Sequence, residues 1–75
     1  MTKYGNKGSD SGVSGYEIHD NGITVEFSTG AQYLYTNESA GKANIDTVKE
    51  LAVGGEGLNG FINKYVKKLY QSQLR

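Results

Sequence analysis

The stretch 15-GYEIHDNGITVEFSTGAQYLY-35 decides how this chain folds. Ile23, Val25 and Phe27 alternate with Thr24, Glu26 and Ser28. That period of two marks a strand with one apolar face. Upstream, Tyr16 and Ile18 alternate in the same way with Glu17 and His19. Asn21-Gly22 lies between the two runs, and Asn-Gly is the strongest short hairpin signal, because a type I′ turn needs positive φ at both central residues. A two-residue turn there sets Ile18 opposite Val25 and Tyr16 opposite Phe27. Both pairs are apolar, so the register is self-consistent.

The next turn admits two registers. A two-residue Thr29-Gly30 loop pairs Val25 with Leu34 and turns Tyr33 and Tyr35 to the far face. A three-residue Ser28-Thr29-Gly30 loop pairs Phe27 with Ala31, Val25 with Tyr33 and Ile23 with Tyr35. The second is favoured, because glycine at the third loop position is the common arrangement. Under it Tyr16, Tyr33 and Tyr35 are core. Gln32 and Leu34 then lie on the opposite face, where an apolar patch centred on Leu34 would be a candidate protein interface.

Beyond Tyr35, the segment TNESAGKAN is polar and holds helix-start residues. Ile45, Val48, Leu51 and Ala52 then follow at helical spacing, which predicts a helix from about residue 46 to the glycines at 54 and 55. Leu58, Phe61, Ile62, Tyr65, Val66 and Leu69 recur at helical intervals and predict a second, longer amphipathic helix. The expected architecture is therefore α+β: a three-stranded antiparallel β-meander followed by two α-helices on one sheet face. Residues 1–12 are rich in Gly, Ser, Asn and Lys and read as a flexible tail; Tyr4, the one large apolar group there, either docks on the domain or, as is more common for such a residue, moves with the tail. Residues 13–75 form the single domain, and 75 residues leave room for no second one.

Composition narrows the chemistry. There is no cysteine and one histidine, so thiolate or histidine metal clusters are not expected, nor is a cofactor. No apolar run approaches the roughly 18–20 residues that cross a bilayer. No signal-type segment opens the chain, so a cytoplasmic protein is expected. Formal net charge is zero, with eight basic and eight acidic side chains. That balance does not suit a strong non-specific nucleic-acid binder. Charge is nonetheless uneven, since from residue 59 onward the chain holds Lys64, Lys67, Lys68 and Arg75 and no acid. Local charge sets what a surface attracts. Asn63, Lys64, Lys67 and Lys68, with Tyr70, are the candidate anion- or nucleic-acid-binding residues. His19 beside Asp20 and Glu17 lacks a positioned nucleophile and sits on a hairpin, and the GGEG break lacks the lysine of a phosphate loop. No catalytic residues are expected.

Several motifs in this order resemble the KTSC domain, a short module named for the C-terminus of lysyl-tRNA synthetase. They are Gly15-Tyr16, the apolar strand 23–27, Tyr33-Leu34-Tyr35, and a closing pattern of Gly60, Phe61-Ile62, Asn63, Lys64, Val66, Lys67 and Tyr70. The resemblance spans roughly residues 12–70. Two departures stand out: no proline step follows the Tyr-x-Tyr, and lysine stands at position 67 where that family often has arginine. The resemblance implies a module found alone in small bacterial and phage proteins or attached to synthetases, with RNA binding suggested by context. The expected function is a small non-enzymatic binding module for RNA or DNA. The alternative is a protein–protein module, such as a phage or mobile-element protein that inhibits a host nucleic-acid machine.

Overall fold

A computed structural model describes residues 1–5 and 12–75. The fold is α+β, and the sheet has five strands instead of three. They are β1 (Thr2–Lys3), β2 (Val13–His19), β3 (Gly22–Phe27), β4 (Gln32–Thr36) and β5 (Ser72–Gln73), antiparallel and in chain order across the sheet. The helical elements are α1 (Asn37–Ala40), α2 (Lys42–Gly54) and α3 (Leu58–Phe61), the last continued by a π-helical turn over Ile62–Val66. Their buried residues Ile45, Val48, Ala52, Leu58, Ile62 and Val66 share one core with Ile23, Val25 and Tyr35 of the sheet.

The β3–β4 register follows the sequence expectation. Val25 faces Tyr33 and Ile23 faces Tyr35. The Phe27 N–H donates to the Ala31 carbonyl at 2.8 Å, and Gly30 takes φ +94°, a conformation that favours glycine.

The first hairpin differs from expectation. Ile18 pairs with Ile23 and Tyr16 with Val25, so the turn is Asp20-Asn21 and Gly22 already belongs to β3. A Cβ on Gly22 would collide with the Tyr35 carbonyl oxygen in β4. The glycine therefore serves close backbone approach between strands instead of turn geometry. The turn has tertiary support as well: the Lys49 ammonium of α2 donates to the carbonyl oxygens of His19 at 2.8 Å and Asp20 at 3.4 Å. A shift of two residues keeps the alternation in phase, so Tyr16 still packs against the core, but Ile18 at the end of the hairpin is 46% exposed.

The tail expectation is corrected at its start. Thr2–Lys3 pairs with β2, and Tyr4 is only 3% exposed. Its hydroxyl oxygen accepts from the Leu58 N–H at 3.1 Å. Helix α3 starts at Gly57 without a side-chain cap, and Tyr4 accepts from one of its free first-turn donors. Gly12, at the other end of the expected tail, accepts from the Ser28 N–H through its carbonyl, and residues 6–11 lie outside the described residues.

The helices also depart from expectation at both ends. Helix α1 begins at Asn37 because Thr36 and Ser39 form a reciprocal capping box: Ser39 N–H donates to Thr36 Oγ1 at 3.1 Å, and Thr36 N–H to Ser39 Oγ at 3.0 Å. The predicted long last helix stops near Val66. The chain then turns at Lys67-Lys68 and returns as strand β5 beside β4. Tyr65 and Leu69, predicted on the apolar face, are 54% and 40% exposed. The buried line is Leu58, Ile62 and Val66, spaced by four. At 3.6 residues per turn a four-residue step drifts about 40° around the axis. A wider i→i+5 turn offsets that drift and holds the line against the sheet.

A candidate nucleic-acid-binding cleft

The end of β3, strand β4, the π-helical turn and the segment before β5 enclose a cleft of about 360 Å³. Its aromatic wall is Phe27, Tyr33, Tyr35 and Tyr70. Its polar rim is Asn63, Lys67 and Lys68, all exposed, with Ile62 behind them. No acidic side chain lines it.

Each element contributes for a local reason. Alternation along β4 puts Tyr33 and Tyr35 on the helix-bearing face, while Leu34 between them points away. In an α-helical stretch Asn63 and Lys67 are neighbours at i, i+4. The i→i+5 turn precedes Lys68, and Asn63, Lys67 and Lys68 line the same cleft. Tyr70 is held by the pairing that follows it. The Gln71 N–H donates to the Leu34 carbonyl at 2.6 Å and the Leu74 N–H to the Gln32 carbonyl at 2.7 Å. The Tyr70 ring consequently lies over Tyr33, with centroids 4.7 Å apart, and edge-on to Tyr35 at 6.4 Å. Phe27 meets Tyr33 edge to face at 5.6 Å. Such geometries suit the ring quadrupoles.

The rings are not equivalent. Tyr35 is 1% exposed and belongs to the core as much as to the cleft. Burial, with smaller effects from Tyr33 and Tyr70, pushes its pKa up to about 12, so it stays a neutral phenol. Tyr33 is half-buried, and Tyr70 is 38% exposed. Tyr35 therefore cannot offer a ring face to a ligand, whereas Tyr70 and the open part of Tyr33 can.

Of the residues singled out from sequence, Asn63, Lys67, Lys68 and Tyr70 come together. Lys64 does not join them; its ammonium sits 5.4 Å from the centroid of the Tyr65 ring, and Tyr65 in turn stacks on Phe61 at 4.7 Å. Tyr16 is half-buried against the core opposite Val25. Gln32 and Leu34 lie on the opposite face, half-buried. Gln32 donates to the Glu26 carboxylate at 3.0 Å, and Leu34 is paired with Thr24 and Ser72. Leu34 thus lies on the face away from the helices, with Thr24 and Ser72 as its cross-strand partners and the exposed Leu74 two residues beyond Ser72. Sequence reasoning missed Phe27 as a wall and treated Tyr33 and Tyr35 as separate from the lysines. Their common side of the fold depends on where the last helix ends, which no local pattern announces.

Comparison with protein-family models, curated proteins and solved structures returns no match for this chain. Among the described residues, no group of three His, Asp or Glu side chains is placed to hold a metal ion. Among them also, no helix is long and apolar enough to cross a membrane.

Proposed function

We propose that this chain is a small non-enzymatic module that binds nucleic acid, RNA in the first place, through the cleft between β4 and the last helical turn. The observation that carries this reading is the meeting of exposed aromatic surface on Tyr33 and Tyr70 with Lys67, Lys68 and Asn63, in a site with no acid. Aromatic faces stack bases, and ammonium groups pair with phosphates. The site supplies both within a chain of zero formal charge. The resemblance of its motifs to the KTSC domain points the same way.

The test is binding as a function of salt. Labelled RNA and DNA oligonucleotides are titrated with the protein at low and at raised ionic strength. Affinity is expected to fall as salt rises, and the double variant Lys67→Ala/Lys68→Ala to lose most of the salt dependence. Absence of measurable binding at low salt removes the proposal.

A second reading, a protein-binding module of the kind a phage uses against a host nucleic-acid machine, draws on a different observation. Tyr65 in the π-helical turn, beside Lys64, and Leu69 just after it leave apolar surface exposed. Aromatic groups are enriched at protein interfaces, which need no net positive charge. A host-lysate pull-down that recovers no stoichiometric partner counts against it.

A further inference from the structure

From the shape of the cleft we infer that its ligand is a single unpaired nucleotide of a strand, and that duplex is excluded. This rests on the nucleic-acid reading above and makes it more specific. In a duplex the base faces are stacked on one another, and only their edges reach the grooves. A recess walled by Phe27, Tyr33 and Tyr70 has nothing to take from such a surface. An unstacked base presents a free π-face, which aromatic side chains accept with little regard to base identity.

Size agrees with this. About 360 Å³ lies at the small end of ligand pockets, which run from about 300 to 1,000 Å³. That is room for one base with its sugar and not for a run of bases. The two cations stand on consecutive residues, Lys67 and Lys68, at one rim of the recess. They can neutralise the phosphates flanking one nucleotide, not a long backbone track. Asn63, which lines the same recess, carries both a donor and an acceptor, the equipment for a base edge or a sugar hydroxyl. The partner is accordingly a loop, a bulge or a strand end, or any single strand long enough to present one such nucleotide.

The site predicts its own salt signature. Two neutralised phosphates on a single strand give a slope of log K against log salt of about −1.4, and removing either lysine brings it to about −0.7. Stacking on one ring makes Tyr70→Ala weaker by about 5- to 150-fold. Tyr70 is an exposed ring, so its variants are expected to fold.

The experiment measures fluorescence anisotropy of a short labelled RNA, single-stranded and closed into a blunt duplex of the same sequence, at several salt concentrations. The wild type, Tyr70→Leu and Tyr70→Trp are compared. The expected result is tight binding of the single strand only, loss of that preference in Tyr70→Leu, and its retention in Tyr70→Trp. Equal affinity for the duplex, or a single-strand preference that survives Tyr70→Leu, overturns the inference while leaving nucleic-acid binding in place. A slope far steeper than −1.4 likewise overturns the one-nucleotide footprint. Failure of both RNA forms to bind at low salt overturns this inference and the proposed function together.

Discussion

The two faces of the central hairpins are built from alternate residues of the same strands, yet they are different materials. The helix-bearing face holds Ile23, Val25 and Tyr35, each at most 1% exposed, and runs outward into the aromatic cleft. The opposite face holds Glu17, Thr24, Glu26, Gln32 and Leu34. There the Glu26 carboxylate accepts from Gln32 at 3.0 Å and from the Ser14 hydroxyl at 3.2 Å. One face stabilises by excluding water and the other mainly by hydrogen bonds among polar side chains that range from exposed to buried, Thr24 being 5% exposed. The first kind of contribution is large per residue and the second small. The candidate site lies at the border of the first face, where the apolar wall becomes accessible and meets charge.

The sharpest way to break this contrast is to empty the core side. Ile23→Ala is expected to cost about 2–5 kcal/mol. That is a large share of the ~5–15 kcal/mol that holds a domain together. Urea unfolding followed by circular dichroism reads it. Leu34→Ala, on the opposite face and half-buried, is expected to move the midpoint much less. Comparable losses at the two positions would erase the distinction.

A smaller effect tests whether the N-terminal strand belongs to the core side. Tyr4→Phe keeps the ring and removes the oxygen that accepts from the Leu58 N–H. A buried donor left without a partner costs about 1–3 kcal/mol. Lys3→Ala, at the exposed β1 residue just before Tyr4, is expected to stay within about 0.5 kcal/mol. If the two variants unfold alike, the Tyr4 contact adds nothing.

The smallest effects appear only at extremes of pH, at opposite ends for the two faces. Tyr35 has its pKa raised from 10.0 to about 12 by burial, with Tyr33 and Tyr70 adding to it. Its contribution is intact below pH 10 and declines as pH rises toward 12, because the unfolded chain ionises first. Tyr35→Phe is expected to flatten that alkaline decline. The Glu26 carboxyl is held below its ordinary 4.5, first by Gln32 and then by Ser14. Its contribution is present above that value and lost as pH falls through the lowered one. Glu26→Gln is expected to change the acid limb alone. Thermal unfolding across the pH range separates the two, and a variant that alters the wrong limb contradicts the assignment.

Much of this contrast is legible in the residues. Alternation over residues 23–27, with Gly30 as the left-handed loop residue, is sufficient to place Tyr33 and Tyr35 on the core face. Helical spacing identifies Ile45, Val48, Leu58, Ile62 and Val66 as buried. The Asn21-Gly22 signal misplaces the first turn because Gly22 answers to the Tyr35 carbonyl across the sheet, a contact invisible to any local rule. The two short outer strands escape prediction for a related reason. Thr2–Lys3 and Ser72–Gln73 are two residues each, carry no periodicity, and exist because neighbouring strands offer backbone partners. Tyr4 joins the core through contacts distant in sequence: its ring packs in the hydrophobic cluster, its N–H pairs with the Ser14 carbonyl, and its hydroxyl accepts from the Leu58 N–H.

By itself, then, the sequence determines which face of a strand or helix most side chains share, since period two and period 3.6 are properties of the chain, while Tyr4, Ile18, Thr24, Tyr65 and Leu69 show that burial also depends on what covers that face. It also supplies the acid-free run of lysines after residue 59. Only the tertiary structure decides that the last helix widens, stops near Val66 and sends the chain back along β4. That return sets Tyr70 over Tyr33 and turns two separate motifs, Tyr-x-Tyr and Asn63 with its lysines, into one cleft. The physical reason is that a helix end and a strand pairing are settled by the partners available in space, and those partners lie some forty residues apart along the chain.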